Sequence, residues 1–329
     1  MMNTLKLQAS MAITLAVVIG VSTLFFTVIL SLLGVFDILS LGLFVVFFNV
    51  LQWLIGPYLI EALYHVKKVA RTEEPQLHEM VDRISRKSGI KAPQVMLAQI
   101  PLPNAFAYGS PLTGSKIAIT TGLLNTLDSG EVEAVIGHEL GHLRHRDVQV
   151  MMFVSILPAL FYYIGYSLMW SSFYYGGRSS RDRGNGSLAA LIGFASIAFY
   201  FILTLFTLYF IRLREYYADR HSATVVDDGA EKLSEGLVKI AYSTERTRMR
   251  YRNTTNLGSL SSFKALFISD PDSSGKDAQA LSQMGMRKSD RELVAEYLNR
   301  KVTTADKILE LFSTHPNMVE RLRALQELA

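Results

Sequence analysis

The sequence contains no cysteine among its 329 residues, and it has only seven histidines. The first absence excludes disulfide bridges and thiolate ligands, so any metal ion held by this chain must use imidazole and carboxylate groups. It also fits a reducing compartment. The chain lacks a long basic tract with interleaved aromatic residues, and its net charge is only +4. Nucleic acid is therefore not an expected partner.

Hydrophobic residues, by contrast, make up half of the chain, and many of them fall in four long runs. Each run is long enough to cross a bilayer as a helix. The runs cover residues 11–33, 38–60, 148–170 and 188–211. The first run is too long for a signal peptide, and no small-x-small cleavage site follows it. The sequence therefore predicts a protein with four membrane spans.

The motif H-E-x-x-H occupies residues 138–142. On a helix, positions i and i+4 share a face, so His138 and His142 can bind one metal ion together. Glu139 then lies beside the metal and can act as the general base on a bound water. This pattern is typical of zinc-dependent peptide hydrolases. Two solvated histidines on an ordinary helix are the alternative interpretation.

The residues around the motif favour a helix. Asp128 and Glu131 have the spacing of an N-cap residue and its capping-box glutamate. Apolar residues then recur at helical spacing, namely Val132, Val135, Ile136 and Leu140. The motif is therefore expected on a helix.

A third ligand is needed, and topology points to Glu215. The third apolar run begins shortly after His142, and the fourth ends shortly before Glu215. Two antiparallel spans return the chain to the same membrane face, so Glu215 is expected level with the two histidines. The alternative is a juxtamembrane ion pair of Glu215 with Arg212 or Arg214.

Asp219 follows Glu215 by four residues and is expected on the same helix face. It could accept the distal N–H of a ligating histidine and so fix the tautomer of that ring. A structural ion pair with a nearby arginine is equally compatible with the sequence. The candidate arginines are Arg144, Arg146 and Arg214.

His145 raises the question of a longer motif, H-E-x-x-H-x-x-G-x-x-H. That pattern needs glycine at position 145 and histidine at position 148, where this chain has His145 and Val148. The longer motif is therefore excluded. Three successive turns of a straight helix also do not converge on one ion, so His145 is expected beside the site or on the surface.

Taken together, these features resemble the HtpX-like membrane zinc endopeptidases, which are relatives of the CAAX prenyl proteases. The resemblance covers most of the chain and includes the spans, residues 104–107, the motif at 138–142, Glu215 with Asp219, and residues 314–316 with Arg321. It implies one Zn²⁺ per chain, bound by His138, His142 and Glu215, with Glu139 as the base.

The same resemblance implies roles for residues that the sequence alone would not single out. Four consecutive residues would form an edge strand that binds the substrate backbone: Asn104, Ala105, Phe106 and Ala107. His315 and Arg321 would face the cleft as catalytic residues that stabilise the oxyanion or the substrate carbonyl. Without the resemblance, His315 reads as a loop residue and Arg321 as a helix-surface charge.

The expected fold class is α+β and mainly helical, with four transmembrane helices and a zincin-like peptidase domain that contains a small β-sheet. Residues 1–63 would form an N-terminal transmembrane hairpin and residues 148–211 a second one. Residues 64–147 and 212–329 would supply the two parts of the peptidase domain.

The expected partners are the lipid bilayer and membrane or unfolded protein substrates, and the resemblance suggests membrane-protein quality control. Basic residues near the spans place the site on the cytoplasmic side of a multi-pass plasma-membrane protein. These are Lys6, Lys67, Lys68, Arg71, Arg144, Arg146, Arg212 and Arg214, while Arg178, Arg181 and Arg183 lie on the other side. A CAAX-type prenyl-protein protease and a non-catalytic membrane scaffold are the alternatives.

Overall fold

The structure is a computed structural model, and it describes residues 38–175, 183–251 and 290–329. The helices in these ranges are α1 (Ile38–Leu63), α2 (Pro75–Ser88), α3 (Thr121–Thr126), α4 (Ser129–Arg144), α5 (Asp147–Tyr175), α6 (Arg183–Val225), α7 (Gly229–Tyr251), α8 (Asp290–Leu298), α9 (Thr304–Leu311) and α10 (Met318–Gln326). The strands are β1 (Val66–Lys68), β2 (Gln94–Ala98), β3 (Ala105–Ser110) and β4 (Gly114–Thr120).

The chain divides into two compact units. The first unit contains Leu54–Val148 and Arg212–Ala329, and it therefore holds the sheet, α4 and every residue of the predicted site. The second unit contains Gln149–Ile211 together with the described residues up to Trp53. In that unit, Ser155 on α5 donates a hydrogen bond of 3.5 Å to Asn49 on α1, a contact between two apolar helices.

The sheet of the first unit has the strand order β1-β2-β4-β3. Strands β2 and β4 are parallel, whereas β3 and β4 form an antiparallel hairpin. Strand β3 contains residues 105–107 of the edge strand expected at 104–107, and Asn104 directly precedes it. The order leaves β3 at an edge of the sheet, and α4 packs against it.

The helix ends follow local rules. Pro75 begins α2, where its missing N–H costs nothing, and Gly89 ends α2 in the left-handed conformation. Asp128 caps α4, and Glu131 completes the predicted capping box. One face of the sheet, α2, α4 and α7 share a core that contains Ile84, Ile119 and Leu140.

Two helices in the described part of the chain are long and apolar enough to cross a membrane. Their candidate spans are Asp147–Met169 and Ser187–Val225. The second predicted run coincides with α1, and the first, at residues 11–33, lies outside the described residues. The fold is thus mainly helical with a small mixed sheet, as predicted, and two of the four expected spans are supported.

Candidate metal centre and active site

His138 and His142 lie one turn apart on α4 and turn toward the same point. Their Nε2 atoms are 3.2 Å apart, and the two rings meet edge to face with centroids 4.8 Å apart. His138 is almost fully buried, because α4 is packed on several sides by the core. The arrangement leaves both Nε2 atoms facing one small volume, while both Nδ1 atoms face other side chains.

Glu215 reaches the same volume from α6. Its Oε1 lies 3.4 Å from Nε2 of His142, and its Oε2 lies 3.7 Å from Nε2 of His138. Suitable ligand atoms of the three residues all fall within 4.8 Å of one another. Glu215 Oε2 is buried without a hydrogen-bond partner in the described part of the chain. Such an atom is costly unless something else satisfies it.

The donor set fits a tetrahedral metal ion. Two ligands bound tetrahedrally at about 2.0–2.1 Å stand roughly 3.3 Å from each other. The separations of 3.2 Å and 3.4 Å match that edge, and the 3.7 Å separation needs only a small adjustment. Two imidazoles and one carboxylate are a ligand set that Zn²⁺ accepts, with a fourth position left for water or substrate.

The other nitrogen of His138 is held by a carboxylate. Asp219, one turn after Glu215 on α6, lies 2.8 Å from Nδ1 of His138. Asp219 is held in turn by Arg321 of α10, whose Nε and Nη2 each donate to it at 2.6 Å. The predicted contact of Asp219 with a histidine of the motif is present, and its arginine partner is Arg321 rather than any arginine considered from the sequence.

His142 has a corresponding partner that sequence reasoning missed. Asp147 lies 2.6 Å from Nδ1 of His142, and the guanidinium of Arg214 contacts the other oxygen of Asp147. Each histidine of the motif is therefore backed by a carboxylate and an arginine. The signal in the sequence was a lone aspartate at the start of an apolar run, five residues after His142.

The chain between α4 and α5 makes the Asp147 contact possible. Helix α4 ends at Arg144, and Arg146 adopts a left-handed conformation with φ of 55°. This turn starts α5 at Asp147 and brings its carboxylate back toward His142. His145 caps α4, and its Nδ1 lies 2.7 Å from the carbonyl of Gly141. Burial lowers the pKa of His145 to about 4, so the ring is neutral and donates to that carbonyl.

Glu139 lies beside the two imidazoles and is 4 % exposed. Its Oε2 accepts a hydrogen bond of 2.9 Å from the backbone N–H of Ala107 on β3. Burial raises the pKa of Glu139, although His138 and His142 oppose that rise. For His142, burial lowers the pKa, but the hydrogen bond and charge of Glu215 outweigh burial and raise it overall.

Strand β3 presents alternate backbone groups away from the sheet. The N–H of Thr120 bonds the carbonyl of Asn104, so the backbone groups of Asn104 and Phe106 face β4. Those of Ala105 and Ala107 point outward, as the contact of Ala107 with Glu139 demonstrates. The Phe106 ring is packed in the core against Tyr64. Of the four predicted substrate-binding residues, only the two alanines offer backbone groups at this edge.

His315 and Arg321 both lie close to the site, and Nη2 of Arg321 is 3.6 Å from Oε2 of Glu215. Nε2 of His315 is 3.9 Å from Oε2 of Glu215, and its Nδ1 is 3.0 Å from the hydroxyl of Thr314. Arg321 is only 1 % exposed and is joined to Asp219, so it does not face an open cleft as the resemblance implied. Asp219 raises the pKa of Arg321 despite its burial.

Arg212 holds the loop that carries His315. Its Nη1 donates to the carbonyls of Glu310 and Ser313 at 2.7 and 2.8 Å. A cation at a helix C-terminus satisfies carbonyls that have no partner within the helix. Arg212 and Arg214 are thus bound to other groups, and the alternative that made either of them the partner of Glu215 has no support among these contacts.

Helices α4 and α6 approach closely enough for Glu215 and Asp219 to reach the motif. A Cβ on Gly137 would meet Ser222 and Val226 at 3.0 and 2.9 Å, and a Cβ on Gly141 would meet the Cα of Ala218 at 3.1 Å. The hydroxyl of Ser222 also donates to the carbonyl of Ala134 at 2.6 Å. Both glycines therefore permit the contact between helices that assembles the site.

A buried pair of motif histidines, a remote glutamate and a neighbouring acid against an edge strand are the arrangement typical of a metallopeptidase. Comparison with known proteins identifies the family: residues 71–329 match Peptidase family M48, and the chain belongs to this family. Family membership makes the protein a metalloprotease, which excludes the alternative of a non-catalytic scaffold.

Curated relatives of the chain support this family assignment. The chain is 39 % identical to a "Protease HtpX homolog" of Thermoplasma acidophilum, over 85 % of this chain and 82 % of the relative. It is 37 % identical to "Protease HtpX homolog 2" of Sulfurisphaera tokodaii, over 98 % of this chain and 97 % of the relative. The predicted resemblance to HtpX-like proteases is confirmed.

The crystal structure of S. mikatae Ste24p shares the fold. Its TM-score with this chain is 0.53 at 16 % sequence identity, over 98 % of this chain and 67 % of the other.

Proposed function

We propose that this chain is a zinc endopeptidase in which His138, His142 and Glu215 hold the metal ion. The observation that carries the proposal is the meeting of their ligand atoms within 4.8 Å, at a carboxylate oxygen that has no hydrogen-bond partner in the described part of the chain. The all-imidazole-and-carboxylate donor set supports zinc over metals that prefer oxygen ligands alone.

Bound zinc supplies a water molecule of lowered pKa and polarises the carbonyl of the scissile peptide. Glu139 takes the proton from the attacking water and passes it to the leaving nitrogen. The N–H of Ala107 fixes one oxygen of Glu139, so the other oxygen is free to move the proton.

The substrate adds as a strand to the outer edge of β3. The outward backbone groups of Ala105 and Ala107 lie on the side of the strand that faces Glu139. Pairing there would place an extended peptide across the metal centre and would be largely independent of sequence, since it uses backbone groups. Asn104 and Phe106 support this edge from within the sheet.

His315 acts on the substrate, whereas Arg321 positions the metal ligands. His315 stands near Glu215 and could donate to the carbonyl oxygen that gains charge during attack. Arg321 is committed to Asp219 and acts through it on His138. This assignment gives His315 and Arg321 different roles, whereas the resemblance implies the same catalytic role for both.

The protein is a multi-pass protein of the plasma membrane with its active site on the cytoplasmic side. The two candidate spans and the excess of Lys and Arg beside them support this orientation. The substrates are membrane proteins, including misfolded ones, because the metal ligands lie close in sequence to the ends of the membrane spans. Quality control of membrane proteins is the corresponding cellular role.

Replacing the base and a ligand separately tests the proposal. Glu139→Gln should keep about one zinc per chain and lose cleavage of a denatured membrane protein, since the amide cannot accept the proton. Glu215→Ala should lose zinc and cleavage together. Metal content is measured by elemental analysis of the purified protein. Zinc content unchanged in Glu215→Ala, or parental cleavage by Glu139→Gln, would show the assignment to be wrong.

A further inference from the structure

Helix α9 has its amphipathic faces reversed relative to a helix of a soluble protein. None of its residues is buried, and four large apolar side chains at its C-terminal end are 48–68 % exposed. These are Ile308, Leu309, Leu311 and Phe312, and we refer to them as the apolar patch. At about 100° per residue, they cover an arc of roughly 160° on one side of the helix.

The polar face of α9 is the one that binds the rest of the first unit. The Glu310 side chain is only 17 % exposed, and its Oε1 accepts the N–H of Asn317 at 3.2 Å. The carbonyl of Glu310 accepts a hydrogen bond from Arg212. A helix that turns its carboxylate inward and its leucines outward needs an apolar medium on the outside.

The contact with Arg212 indicates which medium that is. Arg212 is the first residue after the apolar run at 188–211, and both belong to the unbroken helix α6. Its guanidinium donates hydrogen bonds to carbonyls at the C-terminus of α9, so the apolar patch lies near the residue at which the apolar run ends. Lys307 is exposed and directly precedes Ile308 on α9, and basic residues of this kind are usual on helices that lie among lipid headgroups.

We propose that α9 lies in the interface of the lipid bilayer, with the apolar patch inserted among the acyl chains. The inference rests on the proposed membrane insertion of α6 and deepens it. Insertion holds α9 and the following His315 loop at the membrane surface. A polypeptide that leaves the bilayer therefore meets the catalytic cleft without crossing open solvent.

The absence of cysteine allows a direct test, because each introduced cysteine is a unique attachment point for a fluorophore. Phe312→Cys and Leu309→Cys probe the patch, and Lys307→Cys is the matched control on the polar flank of the same helix. Phe194→Cys, at an exposed position of α6, reports membrane insertion itself. The full chain is labelled, reconstituted in lipid nanodiscs, and exposed to lipids that carry a nitroxide quencher at a shallow acyl position.

Labels at Phe312 and Leu309 should lose about half of their emission or more, since interfacial helices bury their apolar face ~5–10 Å deep. The label at Lys307 should lose much less. If Phe194 is quenched while Phe312 matches Lys307, the proposal for α9 is overturned and membrane insertion stands. If Phe194 is not quenched either, the proposed membrane insertion fails with it. A blue-shifted but unquenched label at Phe312 would mean that protein covers the patch, which also overturns the proposal.

Discussion

At the scale of single residues, the site is built from two parallel chains of contacts. Asp219 and Arg321 stand behind His138, while Asp147 and Arg214 stand behind His142. In each chain the carboxylate accepts the Nδ1–H of the ring and thereby leaves Nε2 free to bind a metal. Each carboxylate is in turn contacted by an arginine, whose charge compensates that of the carboxylate in a buried setting.

We expect Asp147→Asn to weaken zinc binding by about 10–100-fold, the usual cost of removing a carboxylate behind a ligating histidine. The amide holds the His142 ring less firmly and removes the charge that Arg214 contacts. Zinc affinity is measured by competition with a chromogenic chelator. Asp227→Asn is the matched control, because the Asp227 side chain is 91 % exposed and forms an ion pair with Lys87. Equal affinities in the two variants would count against a positioning role for Asp147.

The measurement of zinc affinity should also distinguish the role of His315 from that of Arg321. Arg321→Lys should weaken zinc binding, because a lysine cannot make the two hydrogen bonds of 2.6 Å that hold Asp219. His315→Ala should keep zinc affinity near the parent value and lower kcat about 100–10,000-fold, the range seen when an oxyanion donor or proton-transfer group is removed. If His315→Ala instead lost zinc as Arg321→Lys does, His315 would belong with the positioning residues.

At the scale of elements, the site depends on how closely α4 and α6 approach. Gly137 faces Ser222 and Val226, and Gly141 faces Ala218 and His221, so the two glycines of α4 leave room for larger neighbours on the other side of the contact. Glu215 and Asp219 lie on the same stretch of α6. Any widening of this contact therefore moves a ligand and a positioning carboxylate away from the histidines.

Gly141→Ala is expected to cost about 1–3 kcal/mol in stability, the usual cost of overpacking, and to weaken zinc binding as well. The new Cβ would stand 3.1 Å from a backbone atom of α6, which cannot rotate away. Gly130→Ala serves as the control on the same helix, because the nearest atom to its Cβ would be in the flexible side chain of Lys232, at 3.3 Å. Thermal unfolding and chelator competition measure the two effects. If Gly141→Ala matched Gly130→Ala in both thermal stability and zinc affinity, the contact between α4 and α6 would have space for the added methyl group.

The elements also show why sequence reasoning succeeded in some places and failed in others. The helix of the motif and its capping box follow from local spacing, so the sequence predicted them. Glu215 was reached by topology, because two spans must return the chain to one face. Asp147 and Arg321 were not assigned to the histidines, since the first depends on a left-handed turn at Arg146 and the second on the packing of α10. Helix α9 was missed because its polar face, rather than its apolar face, binds the protein.

At the scale of the whole molecule, the metal ties together parts of the chain that are far apart in sequence. His138 and His142 precede the apolar helices α5 and α6, whereas Glu215 follows the apolar run of α6. All three belong to the first unit, so a bound ion would link two parts of that unit that residues 149–211 separate in sequence. Binding should therefore stabilise the folded state of this unit by mass action.

We expect zinc to raise the thermal unfolding midpoint of the chelator-treated protein by about 5–10 °C at a free concentration of ~100 times Kd. This corresponds to roughly 2.7 kcal/mol of binding free energy, which only the folded state gains. Differential scanning fluorimetry of the full chain in detergent measures the shift. Glu139→Gln should show the same rise because it keeps all three ligands, while Glu215→Ala should show little or none. An equal rise in all three proteins would mean that zinc stabilises the fold at another place, and the ligand set would then have to be reassigned.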